Sequence, residues 1–410
     1  MTFEAAPTAP AERRRILAAV AGLGTTQIIG WGTTFSSLTI FGTTIGSDLS
    51  LSREAVFGGI TIMLLASALV APRVGRYADQ RGARSVMMTG SLLVTLAMIA
   101  LAFTQGVVTY LLAWVLVGLA MPMMLANTAL VGLVQIVGAN ARRAITGLML
   151  MSGLTGTFFL PLNAMLIESV GWRNAYLCFA LLHLLVCLPI HALILRRHEA
   201  PPSSAARASG DRTIDGELPA DKRTMAFVML TIWSCAEGLI VWGLYMQVID
   251  VLKGMGLSAV AAVAVWAMVG PAQASARLGD LILGGRYSIL TMALLSSALT
   301  CGSFFLILPF EVSIVTAAAY SICLGLGHGF YAIARNTLPL MLFGVREYGT
   351  YLGRMMLPQS IVNAVAPIIF ATIIARFDPI GALWLAGAAA LAGFVSVLML
   401  VRTCRSSAMG

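Results

Sequence analysis

Gly75-Arg76-Tyr77-Ala78-Asp79-Gln80-Arg81-Gly82-Ala83-Arg84 is a short charged turn set between two long apolar runs, 54–75 and 85–104. Each run has the roughly 20 mostly apolar residues that an α-helix needs to cross the hydrocarbon core of a bilayer. Composition carries the same reading along the chain. Of 410 residues 59% are hydrophobic and 10% charged, against about 25% charged in soluble domains, so the apolar surface is more than a water-soluble core can hide. Twelve apolar stretches follow one another, here called spans 1 to 12: 16–46, 54–75, 85–104, 107–136, 143–169, 173–195, 225–250, 258–283, 287–308, 312–343, 348–375 and 380–401. The expected fold is an all-α membrane protein of twelve transmembrane helices. Gly and Pro interrupt many spans, which is tolerated where neighbouring helices satisfy the freed backbone groups.

Basic residues set the orientation. With the N-terminus inside, inward segments hold nineteen Lys and Arg and outward segments four (Arg53, Arg173, Lys253, Arg376), while Arg277, Arg335 and Arg354 lie within spans. The asymmetry predicts a multi-pass inner-membrane protein with both termini cytoplasmic. It also assigns the basic pI of 9.6 to short cytoplasmic turns and not to a nucleic-acid surface. Met1–Arg15 is polar and the apolar stretch after it is too long for a signal-peptide core, so span 1 reads as an uncleaved anchor. Six cysteines without paired spacing read as small buried hydrophobes, with neither a disulfide framework nor a metal site expected. No cofactor is expected, and the chain reads as a monomer in lipid.

The long polar break Arg196–Arg223 divides the chain six spans plus six, giving bundles 1–197 and 225–410 joined by a cytoplasmic linker 198–224. The halves keep traces of one design, the pattern of repeat-built transporters. Spans 5 and 11 align without gaps at an offset of 206, matching Gly147 with Gly353, Met149 with Met355 and Pro161 with Pro367. Trp31-Gly32 in span 1 is matched by Trp242-Gly243 in span 7, and Gly118-Leu119 in span 4 by Gly325-Leu326 in span 10. Two pseudo-symmetric six-helix bundles are therefore expected.

The turn that follows span 2 resembles the loop signature of the major facilitator superfamily: a Gly, an Asp four positions later, then a Gly and basic residues. Gln80 and Ala83 depart from it. The glycines allow two helix ends to approach. The resemblance implies a gate in which Asp79 pairs with cytoplasmic arginines or with a helix N-terminus, the candidate arginines being Arg81, Arg84, Arg143, Arg335 and Arg354. A second copy after span 8 keeps only Asp280 and Gly284-Gly285-Arg286. The implied fold is the major facilitator fold, and the implied function is secondary active transport of a small-molecule solute by alternating access.

Ionisable groups inside a span cost several kcal/mol and face the bundle interior, so they are the default site candidates. Arg277 in span 8 leads, because a guanidinium stays charged on burial and its fork suits a carboxylate. A structural pair with Asp280 is the alternative. A span 8 arginine, with Gly30-Trp31-Gly32 in span 1, is similar to the monocarboxylate and oxalate transporter branch, which implies a small organic anion as cargo; Ile28 and Thr33 stand where that branch keeps an acidic residue and an aromatic. Glu237 in span 7 and His328 in span 10 are the candidates for carrying a coupled proton. Gln27, Trp31, Asn127, Gln273, Tyr331 and Asn363 complete the substrate-binding candidates. His183 in span 6 reads as structural.

A drug–proton exporter is the nearest rival. Such antiporters carry an Arg four residues before the span 4 glycine, where this chain has Trp114, and a Gly-Pro-rich span 5 motif, where it has Gly153-Leu154-Thr155-Gly156 with Pro161 displaced. A non-transporting membrane sensor is the third reading. An intramembrane enzyme would need paired catalytic groups, and the spans hold no such motif.

Overall fold

The computed structural model describes residues 10–138, 141–195, 218–245, 247–283, 286–308, 312–376 and 379–408. Gly284-Gly285 and the linker as far as 217 lie outside them. The described residues form helices joined by short turns, with no strand among them. Among the described residues, eleven helical stretches are long and apolar enough to cross a membrane. One of them, Arg142–Ile194, has 53 residues and would extend about 80 Å at 1.5 Å per residue, far beyond a single crossing. It bends at Gly171, whose φ of 75° and ψ of 163° are non-helical, and this left-handed position splits it into spans 5 and 6. The described residues are thus all-helical, with twelve spans.

Side chains fix that bend. Trp172 Nε1 donates to Asp48 Oδ2 at 3.2 Å, Arg173 pairs with the same carboxylate, and Arg173 Nη2 donates to the Thr104 carbonyl at 3.0 Å. The ends of spans 1 and 3 are thereby tied to the start of span 6.

Several spans are discontinuous. Span 1 runs Pro10–Trp31, widens to a π-helix at Gly32–Ser36 and resumes at Ser37–Asp48. Span 7 does the same, as Ala220–Leu239, Ile240–Leu244 and Val248–Gly254. Span 4 breaks at Leu125, with ψ of −168°, between Val107–Met124 and Ala126–Val137. Span 8 divides into Ala259–Trp266 and Val269–Leu283. Spans 2, 9, 10, 11 and 12 are the helices Arg53–Arg81, Ile289–Ile307, Ile314–Phe343, Tyr348–Arg376 and Pro379–Ala408, and span 3 is Ala83–Ala102.

The described residues divide into two compact units, one within Ala5–Asp215 and Gly344–Leu357, the other within Gly216–Phe343 and Pro358–Gly410. Each packs around its own apolar interior. In the first, Phe41 stacks on Phe179 at 6.1 Å and meets Tyr176 edge-on at 5.5 Å. In the second, Leu244, Leu252, Phe304, Tyr320, Phe370 and Leu383 form one buried cluster.

The units repeat the same close approaches. A Cβ at Gly118 would stand 2.5 Å from the Met63 carbonyl oxygen and 2.8 Å from Ala66 Cβ, and one at Gly325 would stand 2.7 Å from the Val269 carbonyl oxygen and 2.8 Å from Ala272 Cβ. The π segments behave alike too, Gly32 lying against the ring of Phe159 and Gly243 against that of Phe370. Helix backbones meet this closely only over small residues, the packing rule of membrane interiors. Gly325→Ala is therefore expected to lower the thermal midpoint of the detergent-purified protein, because added volume in a packed contact costs about 1–3 kcal/mol. Gly302→Ala, at a helical glycine with nothing within 4 Å of the new Cβ, should leave it unchanged or raise it.

Candidate functional site

Span 10 places the site through its glycines. Gly325 and Gly329 press on span 8, a Cβ at the latter meeting the Gln273 carbonyl oxygen at 2.7 Å, while Gly327 presses on Thr300 and the Ser296 carbonyl of span 9. The Ser296 hydroxyl closes that contact by donating to the Gly327 carbonyl at 2.8 Å. With these faces committed, His328 turns toward span 7. Its Nδ1 lies 3.6 Å from Glu237 Oε2, with Glu237 only 3% exposed. The two proton-carrying candidates, far apart in the sequence, are neighbours, Glu237 buried and His328 half-buried.

One turn further along span 10, the Tyr331 ring lies 5.3 Å from the His328 ring and edge-on to Trp233 at 5.1 Å. Its hydroxyl accepts from Gln359 Nε2 at 3.3 Å and lies 3.5 Å from the Ser234 carbonyl. Gln359 Oε1 in turn accepts from Arg335 Nη2 at 2.6 Å, while Arg335 Nη1 donates to Asn336 Oδ1 at 2.9 Å. Span 11 comes close enough because span 7 offers Gly238, where a Cβ would meet the Asn363 side chain. With its amide oriented to satisfy both ends, Asn363 accepts from Trp242 Nε1 at 3.1 Å and donates to the Gln359 carbonyl at 3.0 Å. On span 8, Arg277 Nη2 donates to Gln273 Oε1 at 3.3 Å. Asp280, the alternative partner of Arg277, accepts from the Tyr287 hydroxyl at 3.1 Å.

Glu237, His328, Tyr331, Arg335 and Asn363 thus share one network in the second unit, and Arg277 and Gln273 are bonded to each other there. Gln359, Trp233 and Trp242 were not among the sequence candidates. An uncharged amide does not stand out in an apolar run; the available signal was that Gln359 and Asn363, four apart, share a helix face.

The first unit holds the other candidates. Gln27 is wholly buried, and its Nε2 donates to the Met124 carbonyl at 3.0 Å. That carbonyl stands at the break in span 4, so Gln27 satisfies a backbone group that the missing helical turn leaves free. Thr128 treats the Pro122 carbonyl the same way at 2.6 Å. Asn127 Nδ2 lies 2.9 Å from Met356 Sδ, and Trp31 sits edge-on to Phe35 at 6.5 Å. His183, with Nε2 2.8 Å from Thr33 Oγ1, and His191, with Nδ1 2.8 Å from Ser91 Oγ, are both 1% exposed.

The charged turn also lies in the first unit. Gly75 passes against the backbone of Gly349 and Gly353 at the start of span 11. Asp79 Oδ1 accepts from the Gly349 amide at 2.9 Å, and Oδ2 from the Thr350 amide at 2.6 Å and the Thr350 hydroxyl at 2.8 Å. The carboxylate therefore caps a helix N-terminus, where backbone donors and the helix dipole favour negative charge. Gln135 of span 4 staples the turn, donating to the Ala78 carbonyl at 2.9 Å and accepting from the Ala83 amide at 3.0 Å. Of the arginines, Arg81 lies over the Tyr77 ring at 5.7 Å and Arg354 over the Tyr351 ring at 6.0 Å. Arg84 is half-buried at the start of span 3, and Arg143 is exposed in the first turn of span 5.

The sequence profile of the Major Facilitator Superfamily matches residues 23–353. The chain belongs to that superfamily. Solved structures agree on the fold. The superfamily's proton:xylose symporter XylE superposes with a TM-score of 0.68 at 14% identity, over 95% of this chain and 96% of that one. The human organic anion transporter MFSD10 (TETRAN) superposes with a TM-score of 0.67 at 13% identity, over 95% of this chain and 100% of that one. No curated protein sequence matches it. Membership makes the chain a multi-pass membrane transporter of a small-molecule solute and not an enzyme.

Proposed function

We propose that this transporter carries a small organic anion, a monocarboxylate in the simplest case, across the inner membrane together with a proton. The observation that carries the reading is the contact of buried Glu237 with half-buried His328 at 3.6 Å in a unit whose spans also hold Arg277 and Arg335. A carboxylate buried to 3% is costly when charged and is relieved by a proton on either member of the pair. A guanidinium of Arg277 receives the carboxylate of the cargo. Travelling together, anion and proton are neutral, which removes the cost of moving charge against a negative-inside potential, about 2.3 kcal/mol per charge per 100 mV. The surplus of Lys and Arg in the inward segments supports a cytoplasmic location for both termini. Asp79 then belongs to the cytoplasmic gate, engaged with the start of span 11 while the transporter is open outward and released when it opens inward. The bundles 1–197 and 225–410 are the moving bodies, with linker 198–224 between them, and the monomer is sufficient.

The test is uptake of labelled small carboxylates by proteoliposomes with and without an inward proton gradient. Wild-type protein should concentrate at least one of them when the gradient is imposed. Glu237→Gln and His328→Gln should each reduce gradient-driven accumulation by at least about tenfold while preserving exchange of labelled for unlabelled anion, since exchange needs no net proton movement. Undiminished accumulation in both variants would move the proton site elsewhere. A preference for lipophilic cations over carboxylates would make the protein a drug–proton exporter.

A further inference from the structure

Arg335 stands in an unusual setting. It lies within span 10, eight residues before the helix ends at Phe343, about 12 Å at 1.5 Å per residue. An arginine there can reach back to the nearer membrane surface. This one does the opposite. Its guanidinium is bonded to Gln359, which is eleven residues inside span 11, and Gln359 is bonded onward to Tyr331, one turn nearer the middle of span 10. Among the described residues its hydrogen-bond partners are the neutral oxygens of Gln359 and Asn336, and its Nε is buried with no partner. No acidic side chain lies within ion-pair distance of it among those residues.

A permanently charged group inside a span, held by neutral acceptors, is an incomplete anion site. Its level fits the cargo reading. Span 8 residues 269 and 273 lie beside span 10 residues 325 and 329, an offset of 56, so Arg277 lies level with residue 333, two positions from Arg335 and about 3 Å away in depth. Both guanidiniums also aim the same way along their helices, Arg277 toward Gln273 and Arg335 toward Gln359 and Tyr331.

We infer that Arg335 is an anion-recognition group of the carrier and that Gln359 is its placeholder, an amide oxygen which a carboxylate of the cargo displaces. This rests on the proposal that the cargo is an organic anion. The displacement exchanges a neutral acceptor for a charged one, adding Coulombic attraction and the chance of two parallel hydrogen bonds to the guanidinium fork. Gln359, released from Arg335, still reaches the Tyr331 hydroxyl, whose ring adjoins His328. Cargo occupancy is thereby felt next to the proton-carrying pair.

Two substitutions of opposite sign test it. Gln359→Glu is nearly isosteric and gives Arg335 a built-in carboxylate, so cargo must compete with a resident anion. Gln359→Leu removes the placeholder oxygen. The measurement is counterflow of labelled lactate, pyruvate, succinate and benzoate in proteoliposomes of the full chain, with thermal midpoints in detergent alongside. For the carboxylates that wild-type protein exchanges, Gln359→Glu should raise the half-saturating concentration at least about tenfold, a shift of about 1.4 kcal/mol, with an unchanged or higher thermal midpoint. Gln359→Leu should leave that concentration unchanged or lower it. A purely structural Arg335 predicts the reverse dissociation: Gln359→Glu within about twofold of wild type in counterflow and more stable, Gln359→Leu less stable. That result overturns the inference and leaves the anion reading standing. Failure of the wild-type protein to exchange any of the four carboxylates overturns both.

Discussion

Asp79→Asn is expected to cut transport by about a hundredfold while leaving binding of the cargo from outside within about twofold of wild type. The geometry makes the loss specific. Both carboxylate oxygens are engaged at the start of span 11, by the Gly349 amide, the Thr350 amide and the Thr350 hydroxyl. Asn keeps one acceptor oxygen and turns the other into an NH2 group, which then confronts a backbone N–H with no acceptor to offer. The substitution also removes the charge that favours a helix N-terminus. Hydrogen bonds to charged groups contribute about 1.5–3 kcal/mol each. A loss of about 3 kcal/mol shifts the balance between engaged and released states by about a hundredfold, so a state engaged about 99% of the time becomes engaged about half of the time and binding from outside falls only about twofold. Thr350→Val deletes only the hydroxyl bond and should have a smaller effect in the same direction. Rates come from counterflow and binding from protection against heat by added cargo. Wild-type turnover in Asp79→Asn would mean that the capped helix start is architecture alone and takes no part in the cycle.

What could be read from the residues, and what could not, follows from the range of the forces involved. Twelve crossings were legible because bilayer thickness acts on every run of about 20 residues independently. The turn at Gly75–Arg84 was legible because close approach of helices needs glycine locally, and Gly75 indeed meets the backbone of Gly349. That Asp79 would be met by backbone amides of span 11 was one of two options, the other being arginines, and only the fold separates them. Interruptions inside the spans were not placed. The π segments at Gly32–Ser36 and Ile240–Leu244 are set by the rings of Phe159 and Phe370 against a glycine, a contact made by tertiary packing and absent from any local period. The break at Leu125 is sustained by Gln27 and Thr128. Gln27 consequently looks like a cavity-lining residue in sequence and is a wholly buried bridge in the structure. Charged groups announced themselves against the apolar background, whereas their pairing, Glu237 with His328, depends on which faces of span 10 the glycines commit to spans 8 and 9.

Arg277→Ala is the substitution expected to abolish anion transport, and Arg277→Lys to weaken it. The two variants separate charge from shape. Lys retains the positive charge and loses the planar fork, so a carboxylate keeps its Coulombic attraction and forfeits the second parallel hydrogen bond. One such bond to a charged group is worth about 1.5–3 kcal/mol, so the half-saturating concentration for Lys should rise about tenfold to a hundredfold. Ala removes charge and fork together, and transport should fall to the rate of protein-free liposomes. Arg277 also packs and bonds within its own helix, donating to Gln273 Oε1 at 3.3 Å. A thermal midpoint is therefore measured for each variant, and Gln273→Leu serves as the companion that removes the intrahelical acceptor while keeping the guanidinium. If Arg277 acts through the cargo, Gln273→Leu should hold its half-saturating concentration within a few-fold of wild type and respond to carboxylates with a rise in thermal midpoint, a response Arg277→Ala should lack. Normal anion transport by Arg277→Ala would reduce the residue to a structural role beside Asp280, and Arg335 would then stand as the guanidinium that receives the cargo.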